Sequence, residues 1–207
     1  MKVKKNKLFK SRAQMIIYII LTIIIMVLFV VIGTHDFNPN IETEGEQFNQ
    51  VFTNVEKDNV FIFGDVTDVN SIINGKSEDA IVLFGFKNNE WTSYYAEYIN
   101  DVAIELGIKK VIYYDFELDR KEKNGTYETI VNSLDVYVTF NDYNTADIYA
   151  PTLVVVKDGE VIAFINETSL RNGNVTPEIY WDQYKVEEFK STLRTIFNEY
   201  LKGQQNG

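Results

Sequence analysis

The 207-residue chain contains no cysteine and a single histidine, His35. Without cysteine there is no disulfide framework and no thiolate nucleophile. One histidine with no thiol excludes the ordinary zinc site, which draws on several His or Cys ligands. G-x-S-x-G, the phosphate-binding P-loop and H-E-x-x-H are all missing, as is the carboxylate spacing of a calcium loop. The sequence therefore predicts no metal and no cofactor. It holds neither an internal repeat nor a long low-complexity tract. Positive charge is concentrated at the start, where Lys2, Lys4, Lys5, Lys7, Lys10 and Arg12 stand without an acid among them. Residues 15–207 keep 14 basic against 30 acidic side chains, a net charge of −16. So acidic a stretch is a poor match for nucleic acid or anionic lipid, and its plainest meaning is solubility.

What is present begins with a long apolar run. Met15 to Gly33 is 19 residues without a charge, close to the ~20 apolar residues that a helix needs to cross a bilayer core. Basic residues precede it, and the acids Asp36, Glu42, Glu44 and Glu46 follow. That asymmetry predicts a single-pass anchor in the cell membrane, with 1–14 as a cytoplasmic tail and the C-terminal part extracytoplasmic. A cleaved signal peptide is the competing reading. Its apolar core is shorter, and Val30-Val31-Ile32-Gly33-Thr34 lacks an A-x-A cleavage pattern. Residues 34–50 are polar, containing Asn38-Pro39-Asn40 and Glu42-Thr43-Glu44-Gly45-Glu46, and read as a linker. The folded domain is expected over 51–203.

Within it, helix and strand signals alternate. Val60–Phe63 and Lys110–Asp115 read as strands, and Ala80–Phe86 as a strand covered on both faces. Val66–Ile73 is a short helix closed by Asn74-Gly75. Tyr95, Tyr98, Ile99, Val102, Ala103 and Leu106 mark one face of a longer helix, ended by Gly107. Asp119–Gly125 reads as a charged loop and Tyr127–Leu134 as a short helix. The stretch 135–149 reads as a loop with an extended piece at Val136–Thr139. Thr152–Val156 and Glu160–Phe164 flank Lys157-Asp158-Gly159, a strong hairpin signal. Residues 166–181 read as a loop. Val186, Phe189, Leu193, Ile196, Phe197, Tyr200 and Leu201 line a last helix over 183–202. The order β-α-β-α-β-α-β-β-α indicates a small α/β domain.

Two segments carry a family likeness. In Tyr149-Ala150-Pro151-Thr152-Leu153-Val154-Val155-Val156-Lys157-Asp158-Gly159 a proline opens a buried strand, where its missing N–H is tolerated, and a Lys-Asp-Gly turn follows. In Ile81-Val82-Leu83-Phe84-Gly85-Phe86, a strand runs into Lys87-Asn88-Asn89-Glu90-Trp91-Thr92 and a helix. With Gly107-Ile108-Lys109-Lys110-Val111-Ile112-Tyr113-Tyr114-Asp115, these resemble the thioredoxin superfamily. The likeness runs to membrane-tethered thioredoxin-like proteins of Gram-positive bacteria, the bacteriocin transport accessory type, and covers residues 58–202. It implies a thioredoxin-like fold and a cis bond between Ala150 and Pro151. It places the two redox cysteines on Asn89 and Thr92, or, in a register anchored on Trp91, on Thr92 and Tyr95. Neither register holds a thiol, and Glu97 stands near the family's helix proline. Thiol–disulfide exchange needs a thiolate attacking sulfur, so no dithiol oxidoreductase activity is expected.

The C-x-x-C positions, Asn89, Glu90, Trp91 and Thr92, then have two readings. Asn89 and Thr92 are residue types that cap helix N-termini. Alternatively they line a polar pocket facing Ala150, Pro151 and Thr152. There, as the resemblance implies, backbone beside the proline pairs with an extended peptide by β-augmentation. Trp91 and Tyr94 are candidate interface aromatics, whereas Tyr95 and Tyr98 belong to the core. Asp115, Glu117, Asp119, Asp142 and Asp147 read as a solvated acidic surface, and His35 as an interfacial residue. Asn124-Gly-Thr, Asn166-Glu-Thr and Asn174-Val-Thr match glycosylation acceptors, a short motif that recurs by chance. The sequence thus predicts a membrane-anchored, redox-inactive module that binds an extended peptide or a membrane-protein partner. The alternative is a non-catalytic subunit of a thiol–disulfide redox or peptide export and maturation system.

Overall fold

The computed structural model describes Ile20 and residues 42–140, 146–166 and 175–203. The tail 1–14, the apolar run 15–33 apart from Ile20, and His35 lie outside the described residues. Among the described residues, no helix is long and apolar enough to cross a membrane. Everything below concerns the unit from Glu42 onward.

A five-stranded mixed sheet organises it. The strands are β1 (Phe61–Phe63), β2 (Ala80–Gly85), β3 (Val111–Asp115), β6 (Thr152–Lys157) and β7 (Glu160–Asn166), in the spatial order β1-β3-β2-β6-β7. β3 runs parallel to both β1 and β2, while β6 is antiparallel to β2 and β7 to β6. Side chains alternate across a strand, so the unbroken apolar run of β2 feeds two cores. Ile81 and Leu83 face one, with Val111, Tyr113, Leu153 and Val155; Val82 and Phe84 face the other, with Ile112, Tyr114, Val154 and Val156.

Helices cover both faces. α1 (Glu44–Val51), α3 (Glu90–Glu105) and α7 (Gln183–Leu201) pack on the first core; α2 (Val66–Ile73) and α5 (Gly125–Ser133) pack on the second. α3 buries Tyr95, Tyr98, Ile99, Val102 and Ala103, the stripe expected from its spacing. Gly107, at φ +77°, carries the left-handed turn that ends this helix. Asn100, at the centre of α3 and 4% exposed, accepts the Val60 N–H at 3.2 Å and so ties the helix to the entry of β1. Arg194 of α7 forks onto Glu105 of α3 at 2.9 Å through Nε and through its terminal nitrogen, clasping the two helices side by side. At the hairpin, Asp158 and Gly159 have φ of +53° and +77°, the left-handed pair that a tight two-residue turn requires.

Four expectations need correction. The linker expected to 50 ends sooner. Thr43 and Glu46 form a capping box, Thr43 Oγ1 accepting the Glu46 N–H at 3.2 Å and Glu46 accepting the Thr43 N–H at 3.0 Å. The helix that follows drives Phe48 into the core with no exposure at all. Thr-x-x-Glu ahead of Phe48, Val51 and Phe52 was the available signal. The charged loop expected over 119–125 is partly helical, overlapping α4 (Glu117–Glu122), which buries none of its residues and so shows no apolar period. Its supports are lateral: Tyr114 donates its hydroxyl to Asp119 at 2.7 Å, and Arg120 reaches Asp147 at 2.5 Å. The extended piece expected at 136–139 lies further on, where β4 (Thr139–Phe140) pairs with β5 (Ala146–Asp147) as a separate two-stranded sheet. Finally, the loop expected over 166–181 includes a single-turn helix, α6 (Pro177–Tyr180), with proline in its first turn, where a missing N–H costs nothing.

Candidate functional site

β2 ends at Gly85 and the chain passes through 86–89 into α3. Asn89 is the N-cap. Its Oδ1 accepts the Thr92 N–H at 2.9 Å and the Thr92 hydroxyl at 3.2 Å. The Thr92 oxygen in turn accepts the Phe86 N–H at 3.4 Å. Thr92 is fully buried and Asn89 half-buried. Of the two readings of this pair, the geometry displays the capping one, in which both side chains are engaged by backbone and by each other. The space is also full: a Cβ added at Gly85 would stand 2.3 Å from Thr92 Cγ2 and 3.0 Å from Tyr113 Cε2.

Thr152 pairs with Phe84 on one side and Asn166 on the other. Pro151, one residue before it, therefore sits at the same end of the sheet as Gly85 and the start of α3. The Ala150–Pro151 bond is cis. Pro151 and Thr152 are buried, Ala150 is half-buried, and the Thr152 hydroxyl donates to the Tyr149 carbonyl at 2.5 Å. The candidate positions 89–92 and 150–152 thus stand at the same end of the sheet. Glu90 and Ala150 offer the accessible surface there; Thr92 and Pro151 do not.

Trp91 and Tyr94 are half-buried, not free-standing. The Trp91 ring meets Tyr180 of α6 edge-on at 5.5 Å, and Tyr180 meets Trp181 at 4.9 Å. Trp181 continues inward to Tyr95, Tyr98 and Phe189 at 5.8, 5.2 and 5.3 Å. Lys185 holds its ammonium 4.4 Å from the Tyr180 ring centre. Burial, and then the carboxylates of Glu178, Glu90 and Glu97, push the Tyr94 phenol above its ordinary pKa. Sequence reasoning found Trp91 and Tyr94 but missed Glu178, Tyr180 and Lys185. They stand in or beside a single helical turn, too short for a periodic pattern; Thr176-Pro177 was the only cue.

The acidic loop residues are largely occupied. Asp115 faces Lys87 at 3.4 Å. Asp119 accepts from Tyr114 and, at 2.7 Å, from Asn124 Nδ2. Asp147 accepts from Arg120 and, at 3.2 Å, from Tyr127. Burial foremost pushes the Tyr114 and Tyr127 phenols up, with the neighbouring carboxylates adding to it. Asn124 caps α5, accepting the Thr126 N–H at 2.9 Å, so its side chain serves as a structural joint and not as a free acceptor. Asp142, Thr168 and Asn174 lie outside the described residues, and among those described no group of three His, Cys, Asp or Glu could hold a metal ion. A cleft of about 550 Å³ opens beside Arg120, Lys123, Tyr127 and Asp147. None of the predicted site residues lines it, and its Arg120 and Asp147 already pair with each other. No protein-family model and no curated protein matches the chain.

Proposed function

We propose that the chain is a membrane-anchored, thioredoxin-like interaction module without redox chemistry, which holds an extended peptide or protein segment at the end of its sheet outside the cytoplasm. One observation carries this reading. The order β1-β3-β2-β6-β7, with β6 antiparallel to β2 and β7 antiparallel to β6, brings the proline-opened strand beside the N-terminus of α3 in a chain with no cysteine. The thioredoxin-like arrangement is supported by that order and by the hairpin that follows it. The positions at which the resemblance sets two thiols are occupied by a capping amide and a buried hydroxyl, neither of which exchanges with a disulfide. Binding, unlike exchange, needs only backbone and shape, and an extended segment can add to exposed main chain without covalent chemistry. The anchor rests on the uncharged run 15–33 and its basic flank. It confines the module to a membrane surface, where a partner is met by proximity.

A photoreactive amino acid placed at Ala150 in the full chain, in native membranes, tests the reading. Glu160, exposed at the opposite end of the hairpin, serves as the reference. Cross-linking to a discrete partner is expected at 150 and not at 160. Equal labelling at both positions rejects the groove. An insulin-reduction assay run on the same protein is expected to show no protein-dependent rate.

A further inference from the structure

Beside that end of the sheet lies a second surface, built by the outer side of α3, by α6 and by the start of α7. Its centre is apolar and aromatic: Trp91, Tyr94 and Tyr180 are half-buried, and Ile179 and Tyr184 stand 69% and 75% exposed. Large apolar side chains left as open as Ile179 and Tyr184 mark an interaction surface more often than a solvated one. Its rim is acidic. Glu90 and Glu178 are exposed, and Glu97 lies beside Tyr94 with them. Its Tyr180 ring already receives an ammonium group, Lys185 standing 4.4 Å from the ring centre, the geometry of a cation held on an aromatic face.

We propose that this surface docks a basic, apolar protein segment, with lysine or arginine opposite Glu90, Glu97 and Glu178 and apolar side chains on Trp91, Ile179 and Tyr184. Charge complementarity selects that occupant over the others. An anionic lipid surface would be repelled by the same three carboxylates. A second copy would bring the acid excess of residues 15–207 against them. Complementary charge at such a rim governs encounter rate and partner choice, while the apolar centre supplies most of the retained affinity. The surface meets the Ala150–Thr152 end of the sheet at Glu90 and Trp91, whereas Ile179 and Tyr184 belong to the second surface alone, so the Ile179→Ser with Tyr184→Ser variant reports on it separately.

The test uses the full chain in zwitterionic lipid nanodiscs and a fluorescein-labelled synthetic peptide alternating lysine and leucine, read by anisotropy against empty discs. Saturable binding above the empty-disc level is expected, weakening as salt is raised. Its glutamate–leucine and lysine–serine counterparts are expected not to bind. Glu90→Lys with Glu178→Lys should weaken binding about tenfold, since two attractive contacts become repulsive. Ile179→Ser with Tyr184→Ser should weaken it by a similar factor. All four positions are exposed, so circular dichroism of both double variants should match the unsubstituted protein. Binding no greater than to empty discs, unchanged affinity in the charge-reversed variant, or equal binding of the glutamate–leucine peptide each overturns the proposal. Cross-linking at Ala150 is read separately and reports only on the groove.

Discussion

Phe48→Ala is the substitution that separates the folded unit from the linker expected over 34–50. Phe48 is wholly buried. Its ring stacks on Phe61 at 4.1 Å and meets Phe52 and Tyr113 at 4.8 and 5.4 Å. Truncating a phenylalanine in such a setting costs about 3–5 kcal/mol, combining the lost transfer energy with the cavity left behind. That is a large fraction of the roughly 5–15 kcal/mol that keeps a domain folded. For a unit of this length each kcal/mol lowers Tm by about 2–4 °C, so a fall of about 6–20 °C is expected. The assay is thermal and urea unfolding of the detergent-solubilised full chain, followed by far-ultraviolet circular dichroism. Two companion variants sharpen it. Thr43→Ala removes the capping box and should cost about 1 kcal/mol. Gly45→Ala places a Cβ 2.5 Å from the Lys57 carbonyl oxygen and should loosen the same helix from the 57–59 turn, at about 1–3 kcal/mol. A loss below about 1 kcal/mol for Phe48→Ala would refute the reasoning, because α1 would then be detached and residues 34–50 a linker throughout.

Other outcomes follow from the same geometry. Gly85→Ala should destabilise by about 1–3 kcal/mol through overlap with Thr92 Cγ2. Adding Thr92→Ser, which deletes that methyl, should recover part of the loss; independent, additive costs in a double-mutant cycle would contradict the contact. Asn89→Ala should cost about 1 kcal/mol as the cap of α3 is lost, and urea unfolding reads it. Burial raises the pKa of the Tyr98, Tyr113, Tyr114 and Tyr127 phenols. A raised folded pKa contributes stability that is complete below the unfolded value of about 10 and is lost as pH climbs above it. Absorbance at alkaline pH should therefore show these phenolates only together with unfolding, and reversible ionisation within the folded protein would count against their burial. The exposed Glu105 and Glu199 carboxyls are lowered by hydrogen bonds from Arg194 and Lys202. Their contribution, present above the ordinary carboxylate range, should fade as pH falls through it, and added salt should mute the change.

Sequence periodicity reveals elements whose burial is regular and misses those held from the side. β2, β3, α3, α7 and the β6–β7 hairpin each repeat an apolar pattern over several residues, and each forms where that pattern places it. α4 buries no residue, and its order comes from Tyr114 and Arg120, partners that no local window contains. α6 is a single turn whose neighbour Trp181 is buried against α3 and α7, a contact set by tertiary packing alone. α1 was legible, but its capping box lay in a stretch whose acidity suggested solvent. The strand-to-helix junction at Asn89 and Thr92 and the strand opened by Pro151 were legible, and they stand at one sheet end. What their side chains do there was open between pocket and cap, because a hydrogen bond from Asn89 to Thr92 and one to a ligand place the same demands on residue type.

The aromatic group joining α3, α6 and α7 has an optical consequence. Trp91 and Trp181 are the chain's two tryptophans, and both stand in that group. Tryptophan emission of the whole protein is thus a local reading of one corner, set by what touches those two rings. An unfolding curve recorded by fluorescence follows the release of that corner, while circular dichroism follows the sheet and helices together. Coincidence of the two curves would show that the corner melts with the rest. A displaced emission curve, or one moved by a bound segment alone, would mark it as a separately loosened part, visible without any attached dye.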